Sequence, residues 1–172
     1  NAIKSFWLWL RQFFLSRYLL YSIDKISLES EPVGKESLPI VRSLWNKSFS
    51  GSIGMEGILY YFLFSQVFKK VPNLSDCIYY CEMHAWEKAL NAARQFNNEK
   101  IRTIGFQHAS FSRNYFHYFY DQSELVRSGR SFDLPLPDIL ACNGRHSCSV
   151  FTNSGYPKIA EVESIRNLYL NQ

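Results

Sequence analysis

Hydrophobic and polar positions divide the chain into a helical opening and a later stretch where short apolar runs alternate with amphipathic ones. The opening, NAIKSFWLWLRQFFLSRYLLY, is apolar with interruptions at Lys4, Ser5, Arg11, Gln12 and Ser16. Wound as a helix, it gathers those polar residues on one side and Phe6, Trp9, Leu10, Phe13 and Leu20 on the other. The apolar face is expected to dock on a core or a neighbouring domain, or to lie at a membrane interface. Residues 27–38 (SLESEPVGKESL) are polar, contain Pro32 and Gly34, and read as a linker. A short helix is predicted over 39–46 and a small-residue segment over 48–57. Residues 58–71 (ILYYFLFSQVFKKV) are apolar almost all round, which predicts a largely buried helix ended by Pro72.

From residue 77 the pattern changes. CIYYC (77–81) is a continuous apolar run of the kind a central parallel strand needs. Residues 85–96 (AWEKALNAARQF) follow as a helix, with Ala85, Ala89, Ala92 and Ala93 allowing close approach to a sheet. A turn at 97–100 leads to a strand over 101–106 (IRTIGF). The polar, aromatic segment 109–133 reads as irregular or partly helical. LPLPD then introduces a third strand at 139–142, a helix at 145–153 and a fourth strand near 158–162. Strand–helix–strand alternation at this spacing predicts an α/β fold, a Rossmann-like parallel sheet flanked by helices with an N-terminal helical extension. The expected division is 1–38 for the amphipathic helix and linker, and 39–172 for the α/β domain.

Composition narrows the classes. With 172 residues, 47% of them hydrophobic, the chain has ample material for one core. Its 14 Phe, 11 Tyr and 4 Trp read either as a bulky core or as aromatic surface for a partner domain, a lipid interface or a sugar. Net charge is +4 from 19 basic and 15 acidic residues, with no compact Lys/Arg block, so nucleic acid is not an expected partner. Cys77, Cys81, Cys142 and Cys148 lack C-x-x-C spacing and read as free thiols of a reducing cytoplasm, so no metal site is expected. No run approaches the roughly 18–20 apolar residues that cross a bilayer. Arg11 and Gln12 break the opening run and no small-residue cleavage site follows it, which argues against export. A first residue of Asn rather than Met reads as a fragment of something longer.

Ligands of open parallel sheets bind beyond the carboxyl ends of the strands. Glu82, His108 and the Asn143-Gly144 pair all fall there. Glu82 is a candidate proton acceptor for a hydroxyl nucleophile, or else a helix cap. His84 and Glu87 can share a helix face, with Glu87 orienting a partner or simply facing solvent. Trp86 is a candidate floor for a ligand, or core. His108, in GFQHAS, suits a base or a phosphate contact, and a buried structural histidine is the rival. Arg113 can reach a phosphate or carboxylate, or be an exposed loop residue. Asn143-Gly144 can turn backbone N–H groups toward an anion at a helix start, or be a plain turn. His117 and His146 read as surface residues. The Walker, G-x-G-x-x-G, G-x-S-x-G and H-E-x-x-H patterns are all missing from the sequence.

Several stretches together, GILYYFLFSQVFKKVP, IYYCEMHAWEKAL, IGFQHAS, LPDILACNG and GYPKIAEVESIRNLYL, resemble a bacterial family of surface-carbohydrate (O-antigen or capsule type) biosynthesis proteins regarded as glycosyltransferases of the GT-B type. The likeness runs from about Trp45 to Leu170. Glu82, Trp86 and Glu87 match the family's pattern, while Met83 and His84 stand where it has Asn-Gln. Gly105, Gln107 and His108 match a Gly-x-Gln-His element, and Pro137, Asp138, Asn143 and Gly144 match Pro-Asp…Asn-Gly. The resemblance implies one half of a GT-B architecture, the N-terminal acceptor domain, whose partner is a C-terminal domain that binds the nucleotide-sugar donor. It implies inverting transfer to a carbohydrate or lipid-linked carbohydrate acceptor, with Glu82 or His108 as base and Gln107, Arg113 and Asn143-Gly144 positioning sugar or phosphate. No cofactor beyond the donor substrate is expected. The implied location is the cytoplasm, with peripheral contact at the inner face of the plasma membrane as an extension. The rivals are phosphotransfer to a polyol chain and a non-catalytic carbohydrate-binding or scaffolding domain.

Overall fold

The computed structural model describes residues 2–26, 38–49, 51–71, 73–107, 116–120, 122–125, 134–156 and 158–163. The chain divides within a helix into two compact units, Asn1–Phe64 and Ser65–Gln172. The first unit holds α1 (Ala2–Ile26), α2 (Leu38–Phe49) and most of α3 (Ser52–Lys70). Helices α1 and α2 pack together, and the Trp45 indole N–H donates to the Ser16 carbonyl at 3.1 Å.

In the second unit β1 (Asp76–Tyr80), β2 (Arg102–Phe106), β3 (Ile139–Asn143) and β4 (Ile159–Val162) form one parallel sheet whose spatial order follows the chain. Helix α4 (Ala85–Asn97) links β1 to β2, α6 (Gly144–Asn153) links β3 to β4, and the short α5 (Gln122–Leu125) lies between β2 and β3. Because every step moves the same way across the sheet, right-handed connections put α4 and α6 on one face. The contacts agree. Asn91 of α4 donates to the Tyr79 hydroxyl at 2.7 Å, Arg94 reaches Thr103, and Cys148 of α6 lies against Cys142. The register sets Tyr79 beside Gly105 and Gly105 beside Leu140 on that face. Its core is Cys81, Ala89, Leu90, Ala93, Leu140, Cys142 and Phe151, all buried. On the opposite face Ile78 and Tyr80 of the edge strand are exposed.

The predicted α/β class and parallel sheet hold, and three local expectations are corrected. Helix α3 starts at Ser52, inside the stretch read as a small-residue segment separate from the helix expected at 58–71, because Ile53, Met55 and Glu56 outweigh a cost of about 1 kcal/mol for each glycine. It is not largely buried: Leu59, Leu63 and Val67, four residues apart, are exposed. On α1 the expected polar side does not face water throughout, since Ser5 and Ser16 are buried while Phe6 is exposed. Ser16 satisfies its hydroxyl within the helix by donating to the Phe13 carbonyl at 2.8 Å, so burying it costs little.

Candidate functional site

The junction of β1 and α4 is built around one buried carboxylate. Strand β1 ends at Tyr80, and Cys81 still donates its N–H to the Phe106 carbonyl at 2.9 Å. The chain must then reverse into α4 within a few residues. It does so through Met83, whose φ of 59° lies in the left-handed region that L side chains adopt at a cost of about 1–2 kcal/mol. Glu87, 2% exposed, reaches back to hold this turn. The Glu82 N–H lies 3.0 Å from both of its oxygens, and the Met83 N–H donates to Oε2 at 2.8 Å. An ionised carboxylate out of water is tolerated only with such donors, and the first turn of α4 supplies a favourable dipole as well. Glu87 is therefore occupied in holding backbone, and its side chain is not presented to solvent.

The held turn projects Glu82 and His84 outward. His84 Nε2 and Glu82 Oε2 are 2.9 Å apart, joined by a hydrogen bond, with side chains 59% and 39% exposed. His84 occupies the N-cap position of α4 without a side-chain capping bond. Trp86 is half-buried and meets the Tyr79 ring edge-on at 5.9 Å between centroids. Beneath the turn, burial pushes the Cys81 thiol up to about 12 and raises the Tyr79 phenol above its ordinary range. Both are neutral packing groups at physiological pH. The Tyr118 hydroxyl donates to the Cys81 carbonyl at 2.9 Å, and Tyr156 donates to the Tyr118 carbonyl at 2.5 Å, so the back of the turn is closed by phenols that burial also raises.

The β3–α6 junction solves the same reversal differently. Gly144 opens α6 with φ of 78°, and a side chain there would meet no atom within 4 Å. Gln107, fully buried just past β2, donates its N–H to the Ala141 carbonyl at 2.9 Å, and its Oε1 accepts the Asn143 N–H at 3.2 Å. The amide side chain of Gln107 thus ties the ends of β2 and β3 and faces the interior. Gly105, two residues earlier, sits in a tight place, since a Cβ would lie 3.0 Å from both Cys81 Cβ and Pro137 Cγ and these would have to shift.

Of the residues singled out in the sequence, Glu82, Trp86, Glu87, Gln107, Asn143 and Gly144 lie at or just beyond strand ends on one edge of the sheet. His108 and Arg113 lie outside the described residues. Glu82 and His84 are paired in the open, whereas Glu87 and Gln107 serve the backbone. Sequence reasoning missed a clasp at the other edge. Asp138 Oδ2 accepts from the Thr103 N–H at 2.8 Å and hydroxyl at 3.0 Å, and Oδ1 accepts from buried Arg94. Nothing in the spacing of Arg94, Thr103 and Asp138 announces it. Among the described residues no group of three or more His, Cys, Asp or Glu is placed to hold a metal ion, and no helix is long and apolar enough to cross a membrane.

The site sits on a four-stranded parallel sheet flanked by helices, an α/β arrangement consistent with the Rossmann-like class. Comparison with protein-family models, with curated proteins and with solved structures finds no match to the chain.

Proposed function

We propose that this chain is the acceptor-side half of a GT-B glycosyltransferase that acts in the cytoplasm on bacterial surface polysaccharide. The observation that carries the reading is the exposed Glu82–His84 pair, presented at the carboxyl edge of a parallel sheet by a left-handed, carboxylate-held turn. Strained backbone at such an edge is a frequent mark of a working site. The sequence resemblance supplies the reaction class.

In the proposed step an acceptor hydroxyl oxygen attacks the anomeric carbon of a nucleotide-sugar. The bond from that carbon to the nucleoside diphosphate breaks, and the diphosphate leaves with the electron pair. The hydroxyl proton passes to the hydrogen-bonded Glu82–His84 pair, which takes it as a unit. The pair stands where the resembled family carries Glu-Asn-Gln, so His84 replaces an amide by a group that can share the proton. His108, next to Gln107 in sequence, is the second candidate for the base. Asn143 and Gly144 would contact sugar or phosphate, and Trp86, beyond the end of β1, would offer a ring to the ligand. The nucleotide half of the site belongs to the donor-binding domain that this reading requires.

The test is replacement of the chromosomal copy by Glu82→Gln and by His84→Ala, with surface polysaccharide resolved on gels and folding followed by thermal melts. Loss of product from a folded Glu82→Gln protein supports transfer. Normal product from both folded variants refutes a base at this turn. A second reading, a non-catalytic carbohydrate-binding domain, is favoured by one observation: Glu87 and Gln107, which match the resembled family, both accept backbone N–H groups with their side-chain oxygens. Binding of acceptor glycan with no dependence on Glu82 would select it.

A further inference from the structure

Helix α1 carries two unlike sides. One includes buried Ser5 and Ser16 and half-buried Trp9 and Phe13, with α2 packed near Ser16 through Trp45. The other exposes Ile3 (75%), Trp7 (63%), Phe14 (64%) and Tyr18 (68%), which recur at helical spacing along the same side. A water-facing helix does not usually line up an indole, a phenyl and a phenol. Lys4 and Arg11 are exposed on one flank of this stripe, with exposed Leu8, Leu15 and Leu19 beyond them, and Arg17 is exposed on the other flank beside exposed Phe6, its guanidinium carbon 5.3 Å from the centroid of the Phe13 ring. Residues 2–23 contain no Asp or Glu. The helix is not apolar enough to cross a bilayer. A broad exposed surface of aromatic and aliphatic side chains, with basic side chains set among them and no acidic counterpart, fits a surface that is apolar below and negatively charged above.

We infer that α1 lies in the headgroup layer of an anionic phospholipid bilayer, with Ile3, Trp7 and Phe14 inserted and Lys4, Arg11 and Arg17 against lipid phosphates. This goes beyond the sugar-transfer reading and does not depend on it. The aromatic rings lose water, while the long basic side chains extend to the headgroups. Tyr18 sits at the same level with its hydroxyl toward the polar layer.

The experiment is co-sedimentation of the chain with phosphatidylcholine vesicles that contain or lack phosphatidylglycerol, at low and high salt. Two double variants accompany the wild type, Trp7→Ser with Phe14→Ser, and Lys4→Glu with Arg11→Glu. All four positions are exposed, so circular dichroism and the thermal melt should match the wild type. The expected result is binding to the anionic vesicles that weakens with salt and falls by at least about thirtyfold in the charge-reversal variant, with a clear loss in the aromatic variant. Three results overturn the inference: no wild-type binding at low salt, equal binding to vesicles without phosphatidylglycerol, or self-association by sedimentation velocity that the aromatic variant abolishes. The last would make a second copy the occupant of the stripe. Vesicle binding by the chain, together with normal surface polysaccharide from folded Glu82→Gln and His84→Ala variants in cells, would leave this inference standing and remove the base at the turn, so the two fail separately.

Discussion

The β1–α4 and β3–α6 junctions stand on the same edge of one sheet and make the same reversal, yet they are built on opposite principles. At the second, the left-handed position is Gly144, with nothing near its missing side chain, and the turn needs only the Gln107 contact to the Asn143 N–H. At the first, the left-handed residue is Met83, which is 6% exposed, and a buried carboxylate spans back to fix it. A glycine at 83 would relieve about 1–2 kcal/mol of backbone strain. It would also forfeit the roughly 1.5–3 kcal/mol of a buried methionine and loosen the unfolded chain. Packing therefore favours Met83 by a small margin, and Glu87 supplies what holds the strained geometry. The difference teaches where rigidity has been placed: under Glu82 and His84.

That contrast can be broken at four points. Glu87→Ala should cost the most, about 3 kcal/mol, since it leaves the buried N–H groups of Glu82 and Met83 without an acceptor. Chemical denaturation measures it, and a loss below about 1 kcal/mol would mean the clamp is ornamental. Gln107→Ala should cost about 2 kcal/mol through the orphaned Asn143 N–H and the lost volume. Gly144→Ala should cost about 1 kcal/mol, a pure backbone penalty because the space is open. Its m-value should be unchanged. Glu82→Gln should change stability by less than about 0.5 kcal/mol, since its pairing with His84 is exposed. If Glu82→Gln destabilises as much as Glu87→Ala, the division between a structural and a presented carboxylate is wrong.

Much of the sheet was legible because parallel strands leave a direct signature. CIYYC is a continuous apolar run and IRTIGF and ILAC are short segments rich in apolar residues, and each became a strand with its end shifted by a residue or so. The alanines of α4 told only part of which side meets the sheet: Ala89 and Ala93 are buried, Ala92 is half-buried, and Ala85 at the helix start is exposed. The candidate site was legible in position and not in role. Strand ends placed Glu82, Gln107 and Asn143 together, but one-letter codes cannot say that Glu87 reaches back five residues to a backbone N–H, or that Gln107 turns inward. A serine on a helix is ambiguous for the same reason: Ser16 was assigned to the wet side although its own helix satisfies it. In α3 the apolar residues surround the helix, and periodicity cannot choose which of them remain exposed.

The most direct test places Glu82→Gln and Glu87→Gln side by side in the protein's own cell, with polysaccharide product and thermal stability measured on both. The account predicts that Glu82→Gln keeps the wild-type melt and loses product by about a hundredfold or more, while Glu87→Gln lowers the melt clearly and loses product only as far as it unfolds. Normal product from a stable Glu82→Gln protein would contradict it.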